Sequence, residues 1–408
     1  MQKVFDLVSR LRAVRTARPN PIIPTAPITL SLFLGAVFRV PSLLQLQRET
    51  QRRGWQRLVS WSEPISDDAF CYALERYDPE ELRQVLAGMV RQLKVNKQLE
   101  RCKIAGLLVV ALDANEQFNS RSRCCEQCCQ RTVTVKDRAG QKQQLTEYFH
   151  RQVYAQLHGP EFSVILDLEP IRPDEDESQA ALRLLGRLRR LYGPRFFDVV
   201  TVDAWYPKGP WLRAVQKLGW AVVCVLKQEE YEIYQEAEAL RKTQKPVSWE
   251  IAGRQVQAWE VGDLDFTVES LGKVRVVIAQ EQWQEVHRRE GKKLVQAQES
   301  HWRWLVLREL DGYAVQTICQ IGHQRWGIEN HAFNELTQHY HLTHCEHHHP
   351  IAILAGLLIL IIAFVAFELF AKVHGKLVRL GKLTLLQVTR LLDLSVERWE
   401  DLQPLWSG

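Results

Sequence analysis

The chain has 408 residues, 46% hydrophobic and 25% charged, a globular composition with material for roughly two to three domains and not that of a disordered chain. Net charge is only +5, but residues 1–60 hold ten Lys/Arg (Lys3, Arg10, Arg12, Arg15, Arg18, Arg39, Arg48, Arg52, Arg53, Arg57) against Asp6 and Glu49, an asymmetry that suggests a polyanionic partner. No small-residue cleavage site follows a charged start, and the nine Cys, four of them in CCEQCC, lack the look of a secreted disulfide framework, so a reducing cytoplasm is expected.

Residues 1–100 read as a helical N-terminal domain expected to contact DNA. Ser42 precedes LLQLQRETQRRGWQRL, and Ser66 precedes DDAFCYALERY with acids in its first turn. Asp78-Pro79 opens PEELRQVLAGMVRQLKVNKQL, with Pro at the first helical position. From 101 to 210 the texture is α/β. IAGLLVVALD is a continuous apolar run ending in an acid, as for a strand buried on both faces. TEYFHRQVYAQL and EFSVILDLEPI read as two more strands around a Gly-Pro turn. DEDESQAALRLLGRLRRLYG reads as an amphipathic helix whose acids (Asp174, Glu175, Asp176, Glu177) form a solvated first turn matched to the helix dipole. RFFDVVTVDAWY is a further strand ending in an acid.

Residues 211–300, with AVVCVLK, SWEIAGRQVQAWEV, DFTVES and GKVRVVIAQ, read as a β-rich insertion. HWRWLVLREL opens a second part of the α/β core, expected over 301–375. Within it, Pro350 to Phe370 carries no charge before Glu368 and approaches the length of a membrane span. It is a single such segment, Glu368 interrupts its last turn and the flank before it is a histidine cluster rather than a Lys/Arg cluster, so a buried core helix is expected rather than a membrane anchor. Residues 376–408 read as a helical tail.

HQRWGIENHAFNEL (His323 to Leu336) carries the chemistry. On a helix, Arg325, Glu329, Phe333 and Leu336 share roughly one face, so Glu329 is either a structural partner of Arg325 or a metal ligand. Asp113 and Asp203 stand at the carboxyl ends of buried strands, where α/β sheets build their sites. Three converging carboxylates cannot all stay ionised without a cation, and hard oxygen ligands with open positions suit Mg2+ or Mn2+. Two such ions can activate a nucleophilic oxygen and stabilise the leaving oxygen in phosphoryl transfer.

In ALDANEQFNSRS, VTVDAWYPKGPW and RWGIENHAFNEL the sequence resembles bacterial insertion-sequence DDE transposases of the IS-four type, over roughly 100–372. The resemblance implies an α/β fold with an RNase H-like mixed β-sheet core, helices on both faces, a β-rich insertion before the catalytic Glu and a helical domain in front. It implies Asp113, Asp203 and Glu329 as ligands of the catalytic metals, and Arg325 as a contact to DNA near the cleaved phosphate. It further implies double-stranded DNA (terminal inverted repeats and target) as partner, a homodimer, and cut-and-paste transposition. The family often has Tyr where this chain has Gly322, and Lys at one of the positions held here by Leu336 and Thr337; no Lys occurs between Lys293 and Lys372. Two other functions fit the same residues: a metal-dependent nuclease without strand transfer, and a transposase-derived DNA-binding protein.

In SRSRCCEQCCQR, Cys125 and Cys128 form a C-x-x-C flanked by Cys124 and Cys129, and THCEHHHP supplies His344, Cys345, His347, His348 and His349. Two thiolates with two ligands from the distant segment, drawn from His344, Cys345 and His347, would make a tetrahedral structural Zn2+ site tying the loop after Asp113 to the segment after Glu329. The alternative is reduced, unliganded cysteines. His150 and Asp167 read as structural, Trp302 and Trp304 as packing, and Cys71, Cys102, Cys224 and Cys319 as small hydrophobes.

Overall fold

A computed structural model of the chain describes residues 6–136, 140–266, 271–289, 292–371 and 383–396. Residues 267–270 of the expected strand DFTVES, and the C-terminal tail apart from 383–396, lie outside them.

Six helices come first: α1 (Leu7–Ala13), α2 (Thr25–Val37), α3 (Leu43–Glu49), α4 (Arg53–Val59), α5 (Asp67–Leu74) and α6 (Pro79–Val95). The caps are those expected: Ser42, Ser66 and Asp78 accept backbone N–H groups at the starts of α3, α5 and α6. These helices do not close a core alone. Their apolar faces share one continuous core with the sheet and with α12 (Pro350–Leu369). α12 is apolar all round because α2, α5 and α6 cover it on one side and strand β4 (Ser163–Pro170) on another, and its residues are mostly buried. Part of the N-terminal positive charge is also taken up internally: Arg15 pairs with Glu81, Arg39 with Glu335, and Arg52 with Glu49 and Asp393.

The sheet has β1 (Val109–Ser120), β2 (Cys129–Lys136), β3 (Lys142–His158), β4, β5 (Val199–Val202), β6 (Ala221–Val225), β7 (Val247–Ile251), β8 (Arg254–Asp265), β9 (Lys273–Arg289) and β10 (Lys292–Leu307). β3 pairs antiparallel with β1 and β4, β1 pairs parallel with β5, and β5 parallel with β6. The order β4-β3-β1-β5-β6, with helix α7 (Glu177–Tyr192) between β4 and β5 and α8 (Gly209–Leu218) between β5 and β6, is the RNase H-like arrangement. AVVCV, expected in the insertion, is therefore the fifth core strand: β6 is buried on both faces beside β5, and its Val/Cys run fits that place better than an alternating surface strand.

The inserted segment is α9 (Glu232–Arg241) followed by β7 to β10. It extends the same sheet, because the C-terminal part of β10 pairs antiparallel with β6 (Leu305 opposite Cys224). Helix α10 (Val315–Gln324) then covers one face, over Val109, Val199, Val223 and Trp304. Val110, Val200 and Val222 face the other layer, with α7, α8 and α12.

Candidate active site

Asp113 lies within β1 and Asp203 follows the last residue of β5. These strands are parallel neighbours as far as Ala111 opposite Thr201, and Asp113 and Asp203 each follow that pair by two residues, at the same end of the pairing. Each carboxylate accepts a nearby backbone N–H: Asp113 from Ala114 on the same strand at 2.9 Å, and Asp203 from Trp205 in the turn after β5 at 2.8 Å.

The third acid arrives on an irregular helix. α10 stops at Gln324, and Ile328–Phe333 form a π-helical turn that runs into α11 (Asn334–His339). A wide turn of this kind recurs at functional sites, and it alters the expected single face. Arg325, Phe333 and Leu336 are buried, while the Glu329 side chain remains 44% exposed. The Arg325 guanidinium bridges the acids, with Nη1 at 3.2 Å from Asp113 Oδ2 and Nη2 at 2.7 Å from Glu329 Oε1. The two readings of Glu329 are thus combined, because Arg325 pairs with it and carries it to Asp113. Burial pushes the Asp113 carboxyl up to about 7; Arg325 opposes this, and a hydrogen bond with the Glu329 carboxyl reinforces it. Close approach to Trp304 fixes Gly322, where a Cβ would meet the indole at 2.3 Å, and close approach to His158 fixes Gly327. Trp304 thus excludes a side chain where the resembled family often has Tyr.

A fourth acid was missed. Glu177 is not part of a solvated first turn as expected, and neither is Glu175, which is held against Arg183; Asp176 caps α7. Glu177 points inward, accepting from Tyr206 Oη at 2.7 Å and from Arg151 at 2.8 Å. Burial raises its carboxyl, opposed first by the Tyr206 hydrogen bond and then by Arg151, with Asp203 adding to the rise. Tyr206 has its hydroxyl raised by burial and by the charges of Glu177, Asp203 and Asp113, which places it among the acids. Nothing in the run of four acids marks one as internal; that follows from how α7 docks at the end of the sheet.

The donor set is carboxylate oxygen, with Arg325 the one cation bonded to Asp113 and Glu329 among the described residues. Carboxylates gathered with one guanidinium among them make a hard-oxygen donor set that divalent cations fit.

Beyond β1, the Cys/His residues gather differently from the expectation. Cys125 and Cys128 do meet a distant segment, but their partners are His150 and His348, not His344, Cys345 or His347. His347 turns away to Glu75 at 2.7 Å, His344 lies by Glu346, and Cys345 packs beside the apolar core. His150, read as structural, reaches the cluster because it sits on β3 opposite Phe118 of β1, near the loop that bears the cysteines. Asp167 is structural as expected, buried against Arg83 and Arg187. Trp302 and Trp304 stack on each other with His323 edge-on, which is packing.

A sheet of RNase H-like order with one acid within β1, a second just after the parallel strand β5 and a third on the helix after the insertion is the arrangement of an enzyme class that works on phosphodiesters; Asp113 is not strand-terminal as expected, because β1 continues to Ser120 in its pairing with β3. The family model described as the transposase DDE domain matches residues 137–366, and the chain belongs to that family. Asp203 and Glu329 fall inside the match; Asp113 precedes it and is placed by the β1–β5 register. No curated protein matches. Among solved structures, a cryo-EM structure of a piggyBac transposase synaptic complex with hairpin DNA is similar at 11% identity and a TM-score of 0.44, covering 100% of this chain and 81% of that one.

Proposed function

We propose that the chain is a cut-and-paste transposase. On this reading it binds the terminal inverted repeats of its own insertion sequence as a homodimer in the cytoplasm, and performs Mg2+- or Mn2+-dependent cleavage and strand transfer on double-stranded DNA. The observation that carries this is the meeting of Asp113 and Glu329 through Arg325 beside Asp203, within a chain of the transposase DDE domain family.

Asp113, Asp203 and Glu329 would hold the divalent ions. When bound, those ions supply an activated water or 3′-hydroxyl and stabilise the leaving oxygen. The residues contribute placement. β1 and β5 fix two carboxylates on rigid strands, and the π turn brings the third without closing the site to solvent. Arg325 keeps the acids together before DNA arrives. Its Nε, buried from solvent, has no hydrogen-bond partner among the described residues. Glu177, tied to Tyr206 and Arg151, supports the floor of the site.

The test is an end-joining assay with duplexes carrying the terminal repeats and a plasmid target in Mg2+. Cleavage at the repeat followed by joining of the 3′ end supports the proposal. Cleavage without joining gives a nuclease, and retardation of the duplex without cleavage gives a DNA-binding derivative; either result overturns it.

A further inference from the structure

We propose that Cys125, Cys128, His150 and His348 bind one structural Zn2+ that staples the β1–β2 loop and strand β3 to the segment before α12. The four donor atoms lie within 4.8 Å of one another. Cys125 Sγ and Cys128 Sγ are 3.7 Å apart, and His150 Nε2 and His348 Nε2 3.2 Å apart. Sulfur–nitrogen separations are 3.4 Å for Cys125–His150, 3.3 Å for Cys128–His150 and 3.3 Å for Cys128–His348. With Zn–S of about 2.3 Å and Zn–N of about 2.0–2.1 Å, a regular tetrahedron has edges of roughly 3.8 Å for S···S, 3.3 Å for N···N and 3.5 Å for S···N. These five separations follow that pattern, with the S···S pair longest and the N···N pair shortest, and the sixth, Cys125–His348, is within 4.8 Å.

The surroundings are those of a ligand set. The Cys125 N–H points at Cys128 Sγ at 3.3 Å, the kind of backbone donor that steadies a coordinated thiolate. Phe118 lies against the His348 ring, with centroids 4.9 Å apart. Cys128 and His150 are buried. Four protein ligands leave no open position, so the ion is structural rather than catalytic. A cation at the centre would take a lone pair from each of the four donors, two thiolate sulfurs and two neutral imidazole nitrogens.

The consequence is mechanical. His150 sits opposite Phe118, on the strand that bears Asp113, and His348 lies between the Glu329 turn and α12. One ion would therefore join the segments that carry the first and third acids. The inference does not rest on the transposase reading, because its test reads metal and not DNA.

Full-length protein purified without chelator should contain about one zinc per chain by elemental analysis. Cobalt exchanged into it should give the visible absorption of a tetrahedral thiolate-ligated ion. His150→Ala and Cys128→Ser should lose the stoichiometric metal, whereas His347→Ala should keep it. Should the ligand variants fail to fold, the cobalt spectrum of the unaltered chain decides. Folded protein with no stoichiometric zinc and no thiolate–cobalt band overturns the proposal, as does zinc retained in His150→Ala but lost in His347→Ala.

Discussion

Asp113→Asn should make the metal-free protein more stable while abolishing its activity. The Asp113 side chain is 17% exposed, and its pKa stands at about 7 against an ordinary 3.8, through burial and the adjacent Glu329 despite Arg325. A group whose folded pKa is raised binds more protons folded than unfolded, so stability falls as pH rises between those values. Below about pH 4 the acid is neutral in both states and the cost is absent; above about 7 it is fully expressed. The difference corresponds to at most roughly 4 kcal/mol, and solvent access brings the expectation to about 2–3 kcal/mol. Asn mimics the neutral acid at every pH. Urea unfolding of both proteins in EDTA should therefore give a stability difference near zero at pH 4 that grows to about 2–3 kcal/mol in favour of Asn by pH 8. Saturating Mg2+ at pH 8 should stabilise the wild type and narrow the gap. A difference that is independent of pH, or that favours the wild type in EDTA at pH 8, would refute the reasoning.

Glu329→Gln keeps the length of the π turn and a hydrogen-bond acceptor for Arg325; DNA cleavage should fall at least about a thousandfold, about 4 kcal/mol, with the melting temperature within a few degrees of wild type, measured by single-turnover cleavage and calorimetry. Arg325→Ala leaves two adjacent acids uncompensated and should cost about 2–4 kcal/mol in urea unfolding at pH 8, and less at pH 5, where Asp113 is protonated. Gly322→Ala drives a Cβ to 2.3 Å from the Trp304 indole and should cost about 1–3 kcal/mol by the same assay, so restoring Tyr there should not help folding.

Much of this was legible because it rests on short-range patterns. The apolar runs ending in Asp113 and Asp203 read as strands buried on both faces, and both form strands there; Asp203 does follow its strand, whereas β1 runs on past Asp113 because its second half pairs with β3, which the apolar run does not reveal. The burial of Pro350–Leu369 was expected from its being a single such segment with Glu368 in its last turn and histidines rather than Lys/Arg before it. What was not legible depends on long-range pairing. Glu177 became a site residue through the docking of α7, which four equivalent acids in a row do not encode. His150 joined the cysteines through the β1–β3 register, and His348 was chosen over His344, Cys345 and His347 by the path of one loop. β6 was assigned to the insertion because a short apolar run does not reveal its neighbours. The π turn was invisible because an Arg-x-x-x-Glu spacing reads equally well on an ordinary helix.

The measurement that bears most directly on the carboxylate site is Mn2+ binding followed by electron paramagnetic resonance at pH 8, in the unaltered protein and in Asp203→Asn. Asp203 is informative because its place beside Asp113 follows from strand register rather than from a bond between the two side chains. Specific Mn2+ binding that weakens at least about tenfold in Asp203→Asn, with the fold intact, is the expected result. Binding of equal strength in both proteins would contradict a shared site of Asp113, Asp203 and Glu329.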